Sequence, residues 1–338
     1  MYVILVPLIA LAAVTVNNAA TAELSFSPGD SSRTVIMNWN LDNSFDWKDG
    51  GYSDSDREFS SSGARHWTKK KFMAKADAIA KAILWTAGRF GKLPDLIALE
   101  EVENRFVLRM LLEETILRKK DYGIVHFDSP DTRGIDVALL YRKSVFNLAD
   151  ARPLAVGDTA VFRTRDILLA RMERKPDGKT FAILVNHHPS KFGGGQSDWK
   201  REAAVARLKA AADSLHGLGE HIVVAAGDFN DTPENPVLGR ISGVLGQCGD
   251  SLLVNLAIPL SRQGGGTIRF NGKWELIDMF LLSPAAARLN PEMTILKIPF
   301  LMQRDNTHIG DKPLRTYIGP RYNGGVSDHL PIVLTLDL

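Results

Sequence analysis

Short apolar runs recur along this chain, and most of them end in an acidic, amide or imidazole side chain. Residues 34–41, 95–99, 180–186, 223–226, 276–282 and 332–336 are each too short for a helix and rich in Val, Ile, Leu or Ala. That combination predicts short buried strands. Between them the period changes. Over residues 66–90, Phe72, Ala76, Ile79, Ala80, Ile83, Leu84 and Ala87 fall at helical spacing, and Gly91 and Pro94 stop the pattern. Residues 104–120 read as a second amphipathic helix. Ser197 can cap a third, reaching about Leu215 with Ala203, Ala204, Leu208 and Ala211 inward. Pro176-Asp177-Gly178 and Asn271-Gly272 mark hairpin turns, joining 167–174 to 180–186 and folding 267–277 back on itself. Residues 123–127 and 135–141 are strands flanking the loop 128–134, and 284–288 is a short helix. The polar stretch 43–63 is the longest loop. Strands alternating with helices and hairpins, with no linker and no repeat, predict one layered α/β domain over residues 23–338.

Composition adds little and excludes some classes. A chain of 338 residues with 45% apolar content can bury a large core. A net charge of +2, from 41 basic and 39 acidic residues, neither demands nor excludes a polyanionic partner. The lone Cys248 leaves no intramolecular disulfide and no cysteine metal cluster, and reads as a small buried hydrophobe. The first sixteen residues are almost entirely apolar and are followed by Ala20-Thr21-Ala22, a small-x-small pattern. Residues 1–22 therefore resemble a secretory signal cleaved before Glu23, although no Lys or Arg precedes the apolar run. The run is too short for a comfortable membrane span. The expectation is a secreted or periplasmic monomer with no membrane span in the mature chain.

The chemistry lies at the strand ends. Six segments share one grammar, an apolar run followed by a polar functional group: Asn40/Asp42, Glu101, His187, Asp228/Asn230, Asp278 and Asp328/His329. One such ending is an Asx-turn; six suggest a shared pocket. In the run 223–233, Asp228 and Asn230 lie two apart and should point the same way, with Phe229 turned into the core. Many carboxylates, few imidazoles and no thiol suit Mg²⁺ or Mn²⁺ better than a structural zinc. His187 and His188 alternate across a strand and cannot both reach one metal. No His-Glu-x-x-His, Walker A or Gly-x-Ser-x-Gly stretch is present, and Gly264-Gly265-Gly266 lacks the context of a phosphate loop.

The ordered set 39–42 (Trp-Asn-Leu-Asp), 99–101 (Leu-Glu-Glu), 133–138 (Arg-Gly-Ile-Asp-Val-Ala), Asn186-His187, 227–231 (Gly-Asp-Phe-Asn-Asp), 276–278 (Leu-Ile-Asp) and 327–331 (Ser-Asp-His-Leu-Pro) resembles the endonuclease/exonuclease/phosphatase superfamily, the deoxyribonuclease-I-like metal-dependent phosphoesterases. The resemblance implies a four-layer αββα sandwich: two face-to-face mixed β-sheets flanked by helices, with the motifs meeting at one rim. It also implies roles. Glu101 is the main metal ligand, Asn40 and Asp42 complete the metal's surroundings, and Asp328 is a further carboxylate on that side. Asp228 orients or deprotonates the attacking water, and Asn230 holds the phosphate or that water. His329, paired with Asp278, is the general base or a phosphate stabiliser, and His187 donates to a phosphate oxygen or helps the leaving group.

Arg133, Trp274 and His188 are the candidates to line the substrate. Trp274 reads equally as a core residue, and His188 better as a rim or packing residue. Glu100 reads as a cap, and Asp136 as a salt-bridge partner of Arg133 or Arg142. The activity expected is hydrolysis of phosphodiesters by an exported enzyme, with nucleic acid as the leading substrate and Arg65, His66, Trp67 and Lys69–Lys71 as a candidate patch for it. A lipid substrate would ask for exposed apolar loops, and none stands out. Inositol-phosphate or phospholipid hydrolysis, or a silent module that binds phosphorylated ligands, are the alternatives.

Overall fold

The structure is a computed structural model that describes residues 33–191, 197–244, 246 and 252–338. The expected signal segment 1–22 and Cys248 lie outside the described residues. Two sheets carry the fold. The first contains β1 (Thr34–Ser44), β2 (Leu96–Val102), β3 (Tyr122–His126) and β4 (Asp136–Arg142). The second contains β5 (Phe146–Leu154), β6 (Ile167–Arg174), β7 (Thr180–His187), β8 (Val223–Asp228), β9 (Ser242–Gly243), β10 (Leu253–Asn255) and β11 (Asp278–Leu282). The chain then returns to the first sheet with β12 (Glu292–Ile295) and β13 (Ile332–Leu336). The strand orders are β12-β13-β1-β2-β4-β3, six strands, and β5-β6-β7-β8-β11-β10-β9, seven strands. β1–β2 and β7–β8 pair in parallel at the centres of the sheets, while hairpin pairings build much of the rest.

Period-two alternation sorts the side chains. Ile36, Leu96, Ala98, Val137, Leu139 and Leu334 join one core with the apolar residues of the second sheet, so they fill the space between sheets. Val35, Met37, Ile97, Leu99 and Leu140 belong to a second core with Phe72, Ala76, Ile79 and Ile83 of helix α1 (Lys69–Phe90) and with helix α2 (Arg105–Glu113). Helix α3 (Asp198–Gly217) buries Ala204, Leu208, Ala211 and Leu215 with the second sheet. Helices outside, sheets inside: this is the four-layer sandwich. Among the described residues no helix is long and apolar enough to cross a membrane.

The differences from expectation have local causes. The second helix ends at Glu113 rather than near residue 120, and Thr115 turns back to bond the Leu111 carbonyl. Loop 43–63 contains a short helix, Asp54–Glu58, capped by Ser53. β5 is an edge strand with most of its side chains in solvent, so it carries no apolar alternation to read. Asn271 and Gly272 both adopt positive φ, the turn that this pair predicts. Trp67 is fully buried, its Nε1 donating to the Phe45 carbonyl, and cannot belong to a surface patch.

Candidate functional site

Strand register assembles the site. In the second sheet Asp228 stands beside His187 in the parallel pairing and beside Asp278 in the antiparallel one, so all three share a face. Gly227 makes the approach possible: at φ 154° its Cβ position lies only 2.0 Å from the Asn186 carbonyl oxygen. In the first sheet β1 and β2 run in register to Asn40↔Glu100 and then slip to Ser44↔Val102. Within the slip Asp42, Asn43 and Glu101 adopt positive φ. Strict alternation would send Glu101 outward with Leu99. The irregularity re-aims it at the rim, and Glu100 takes the inward place.

The inward groups converge on one oxygen. Asp228 Oδ2 accepts from Asn40 Nδ2 at 3.0 Å and Asn230 Nδ2 at 3.3 Å. His187 Nε2 lies 3.6 Å from it and His329 Nε2 3.8 Å. The other oxygen, Oδ1, accepts from the Asn230 amide at 2.8 Å. His329 Nδ1 is 2.8 Å from Asp278 Oδ2. Its backbone is tied to β1 twice: Trp39 Nε1 donates to the His329 carbonyl, and Ser327 Oγ bridges the His329 amide to the Asn40 carbonyl. His187 Nε2 is also 3.9 Å from Glu101 Oε1.

The Glu101 side is lined with cations. Arg133 reaches both Glu101 oxygens, at 3.4 and 3.2 Å, and the Asn43 amide donates to Oε2 at 2.7 Å. Arg315 lies 3.5 Å from Asp42 and 3.1 Å from Asp328. Lys75, buried in helix α1, donates to the Asp42 carbonyl at 2.7 Å. Asn40 spends its carboxamide internally, accepting from the Asp42 amide through Oδ1 and donating to Asp228 through Nδ2.

Burial and crowding set the protonation states. Burial, then the neighbouring Asp278, push Asp228 up to about 7 against the pull of His329. Burial and Asp328 raise Asp42 to about 6. Burial pulls His329 down, but Asp278 and Asp228 outweigh it and hold the imidazole well above its ordinary value. His187 goes the other way: burial, reinforced by Arg165 and Arg133, keeps it neutral. At this rim Asp228, Asp278 and His329 bring one ligand atom each within 4.8 Å of the others, and Glu101, Asp42 and the partly exposed Asp328, each facing an arginine, stand beside them; oxygen-rich donors of this kind suit a hard divalent cation.

Two expected residues stand outside this cluster. His188 is buried on the opposite face, edge-on to Phe229 at 4.7 Å, and burial with Arg165 lowers it to about 3. Trp274 lies on the 268–275 hairpin against Lys297 and Arg269. Two further readings are corrected. Glu100 is no cap: it is fully buried on the inward face, and burial raises its carboxyl well above the ordinary range. Asp136 bonds Ser129 and faces His126 rather than pairing with Arg133 or Arg142.

Residues that sequence reading missed include Lys75, Arg315 and Arg165. Arg165 is buried, donates to the His187 and His188 carbonyls and pairs with Asp131 at 2.9 Å. Lys75 did carry a signal, a cation inside the apolar stripe Phe72–Ala76–Ile79. The two arginines sit in irregular chain and carried none.

A two-sheet sandwich with a carboxylate, amide and imidazole floor at one rim defines a phosphoesterase-type architecture. The Endonuclease/Exonuclease/phosphatase family profile matches residues 35–338, and the chain belongs to that family. Its fold is similar to the human Nocturnin catalytic domain with bound sulfate anion, at TM-score 0.56 and 18% identity over 90% of this chain and 94% of that one. It is also similar to humanized D. rerio TDP2, at 0.57 and 15% over 91% and 100%. A third is the Bacteroides thetaiotaomicron mannosyl-6-phosphatase, at 0.54 and 15% over 89% and 98%. At these identities the likeness is one of fold. Among curated protein sequences, none matches.

Proposed function

We propose that this chain is an exported, Mg²⁺- or Mn²⁺-dependent phosphodiesterase whose leading substrate class is nucleic acid. The observation that carries the reading is the convergence on Asp228 Oδ2 of an amide from β1 and imidazoles from β7 and the 327–331 segment, within 3.0–3.8 Å. Glu101, Asp42 and Asp328 would hold the cation, which when bound neutralises charge on the scissile phosphate. Asp228 is the better base for the attacking water, because His329 is held as imidazolium by two carboxylates. His329 then stabilises the phosphate, with Asp278 orienting the ring and stabilising its charge through Nδ1. Neutral His187 donates a second hydrogen bond to a phosphate oxygen, and Asn230 steadies Asp228. Arg133 is placed to meet the substrate's charge beside Glu101.

Support for an extended polyanionic substrate comes from a recess of about 250 Å³ beside Asp42, lined by Arg65, Arg315, Phe59 and Tyr317. The Arg65 guanidinium lies 5.1 Å from the Tyr317 ring centroid, a cation and an aromatic side by side. One observation favours the lipid alternative. Phe270, at the tip of the 268–275 hairpin, and Ile309, on a neighbouring loop, are 64% and 92% exposed, and Arg269 ties the two segments together through the Ile309 and Asp311 carbonyls. Plasmid, single-stranded DNA, RNA, inositol phosphates, a sugar phosphate and sphingomyelin, each tried with Mg²⁺, Mn²⁺ and EDTA, separate these classes. Cleavage of nucleic acid that EDTA abolishes is expected. Full turnover after metal stripping refutes the mechanism, and metal-dependent binding without turnover of any substrate supports the silent module.

A further inference from the structure

We propose a second divalent-cation site, formed by His126, Asp128 and Asp136, that closes the base of the 128–134 loop and takes Zn²⁺. One ligand atom from each of the three side chains lies within 4.8 Å of the others. His126 ends β3 and Asp136 begins β4, so the pair brackets the loop, and Asp128 sits at its start. His126 Nε2 lies 3.3 Å from Asp136 Oδ2 and Nδ1 3.9 Å from Asp128 Oδ1.

What points to a ligand is the imidazole itself. Its side chain is only 3% exposed, yet Nε2 makes no hydrogen bond, although it is aimed at a carboxylate. Buried polar atoms rarely stay unpaired, because each costs the desolvation without the return. Ser129 occupies the other Asp136 oxygen through its amide and hydroxyl, which fixes Oδ2 toward the ring in the way an outer partner orients a metal ligand. Asp128 Oδ1 lies toward the ring's other nitrogen, and the side chain, 91% exposed, can turn to the Nε2 side. One imidazole and two carboxylates, with a position left for water, is a donor set that Zn²⁺ accepts.

The site is separate from Glu101, but its loop is not. Between its two carboxylates the loop carries Asp131, which pairs with Arg165 beneath the His187–His188 backbone, and Arg133, which pairs with Glu101. A cation at the loop's base restrains both arms.

The test uses the full chain bearing Glu101→Gln and His329→Ala, which removes a carboxylate from the catalytic rim and breaks up its Asp228–Asp278–His329 group, with Zn²⁺ titrated by calorimetry. One bound Zn²⁺ per chain is expected, together with slower amide exchange across residues 129–134. Adding Asp128→Asn, an exposed change that leaves packing alone, or His126→Gln should each weaken that binding by about tenfold or more. No Zn²⁺ bound to this double variant overturns the proposal, and so does unchanged affinity in either added variant. The readout is binding in a catalytically disabled protein, so it stands or falls independently of phosphodiester hydrolysis.

Discussion

Asp228 illustrates how much a single residue's surroundings decide. Its carboxylate is buried beside Asp278, yet four nitrogen donors face one of its oxygens. Asp228→Asn keeps the shape and removes the proposed base, so a fall of about 10²–10⁴-fold in kcat is expected with an unchanged circular dichroism spectrum. Glu101→Gln and His329→Ala should each cost several orders of magnitude as well, and wild-type rates in both would show that the roles are misassigned. His188 makes a prediction of a different kind. Its folded-state value of about 3 lies below the ordinary value of 6.5. The unfolded chain therefore binds a proton over that range while the folded one does not. The contribution of neutral His188 is complete above pH 6.5 and falls by at most about 1.4 kcal/mol per pH unit as the pH drops toward 3. Urea titrations at pH 7, 5.5 and 4.5 should show the wild type losing stability relative to His188→Gln as the pH falls. An equal slope in both would mean that the imidazole is not the titrating group.

At the scale of the element, the strands were legible because a buried strand is written as an uninterrupted apolar run, and the acids at its end are conspicuous against it. Glu101 and Glu100 show where such legibility stops. Which of two adjacent glutamates faces the rim depends on the register slip between β1 and β2, and a slip has no residue type of its own. Likewise β5 has one partner and a wet face, so nothing in its composition marks it as a strand. Arg165 and Arg315 escaped because irregular chain has no period from which a side chain's direction can be read. Gly227 is the opposite case, a residue whose identity follows from its element. Adding a methyl group there drives Cβ against the Asn186 carbonyl across the central parallel pair, at positive φ. Gly227→Ala should therefore lose more than about 3 kcal/mol in chemical denaturation. A loss below about 1 kcal/mol would mean that β7 and β8 separate easily, and the site's geometry could not then be rigid.

For the whole molecule the relevant quantity is the charge gathered where the two sheets meet. Asp42 and Asp228 titrate near 6 and 7 because water is excluded and other carboxylates stand close by. For an acid whose value is raised on folding, the folded state resists ionisation that the unfolded state undergoes freely. Stability without a cation therefore declines as pH climbs from the ordinary carboxylate range through 7. Arg133 and Arg315 offset part of this repulsion from partly exposed positions. On the proposed reading a divalent cation held beside Asp42 would favour its ionised carboxylate, so binding would release protons at low pH and tighten as pH rises. Calorimetric titration with Mg²⁺ should show higher affinity at pH 8 than at pH 5.5, with proton release at the lower pH. At a hundredfold excess over Kd, the cation should add about 2.7 kcal/mol of stability. In Glu101→Gln both the stabilisation and its pH dependence should shrink together, since they arise from one charge cluster. Affinity indifferent to pH in the wild type would place Mg²⁺ away from the buried carboxylates.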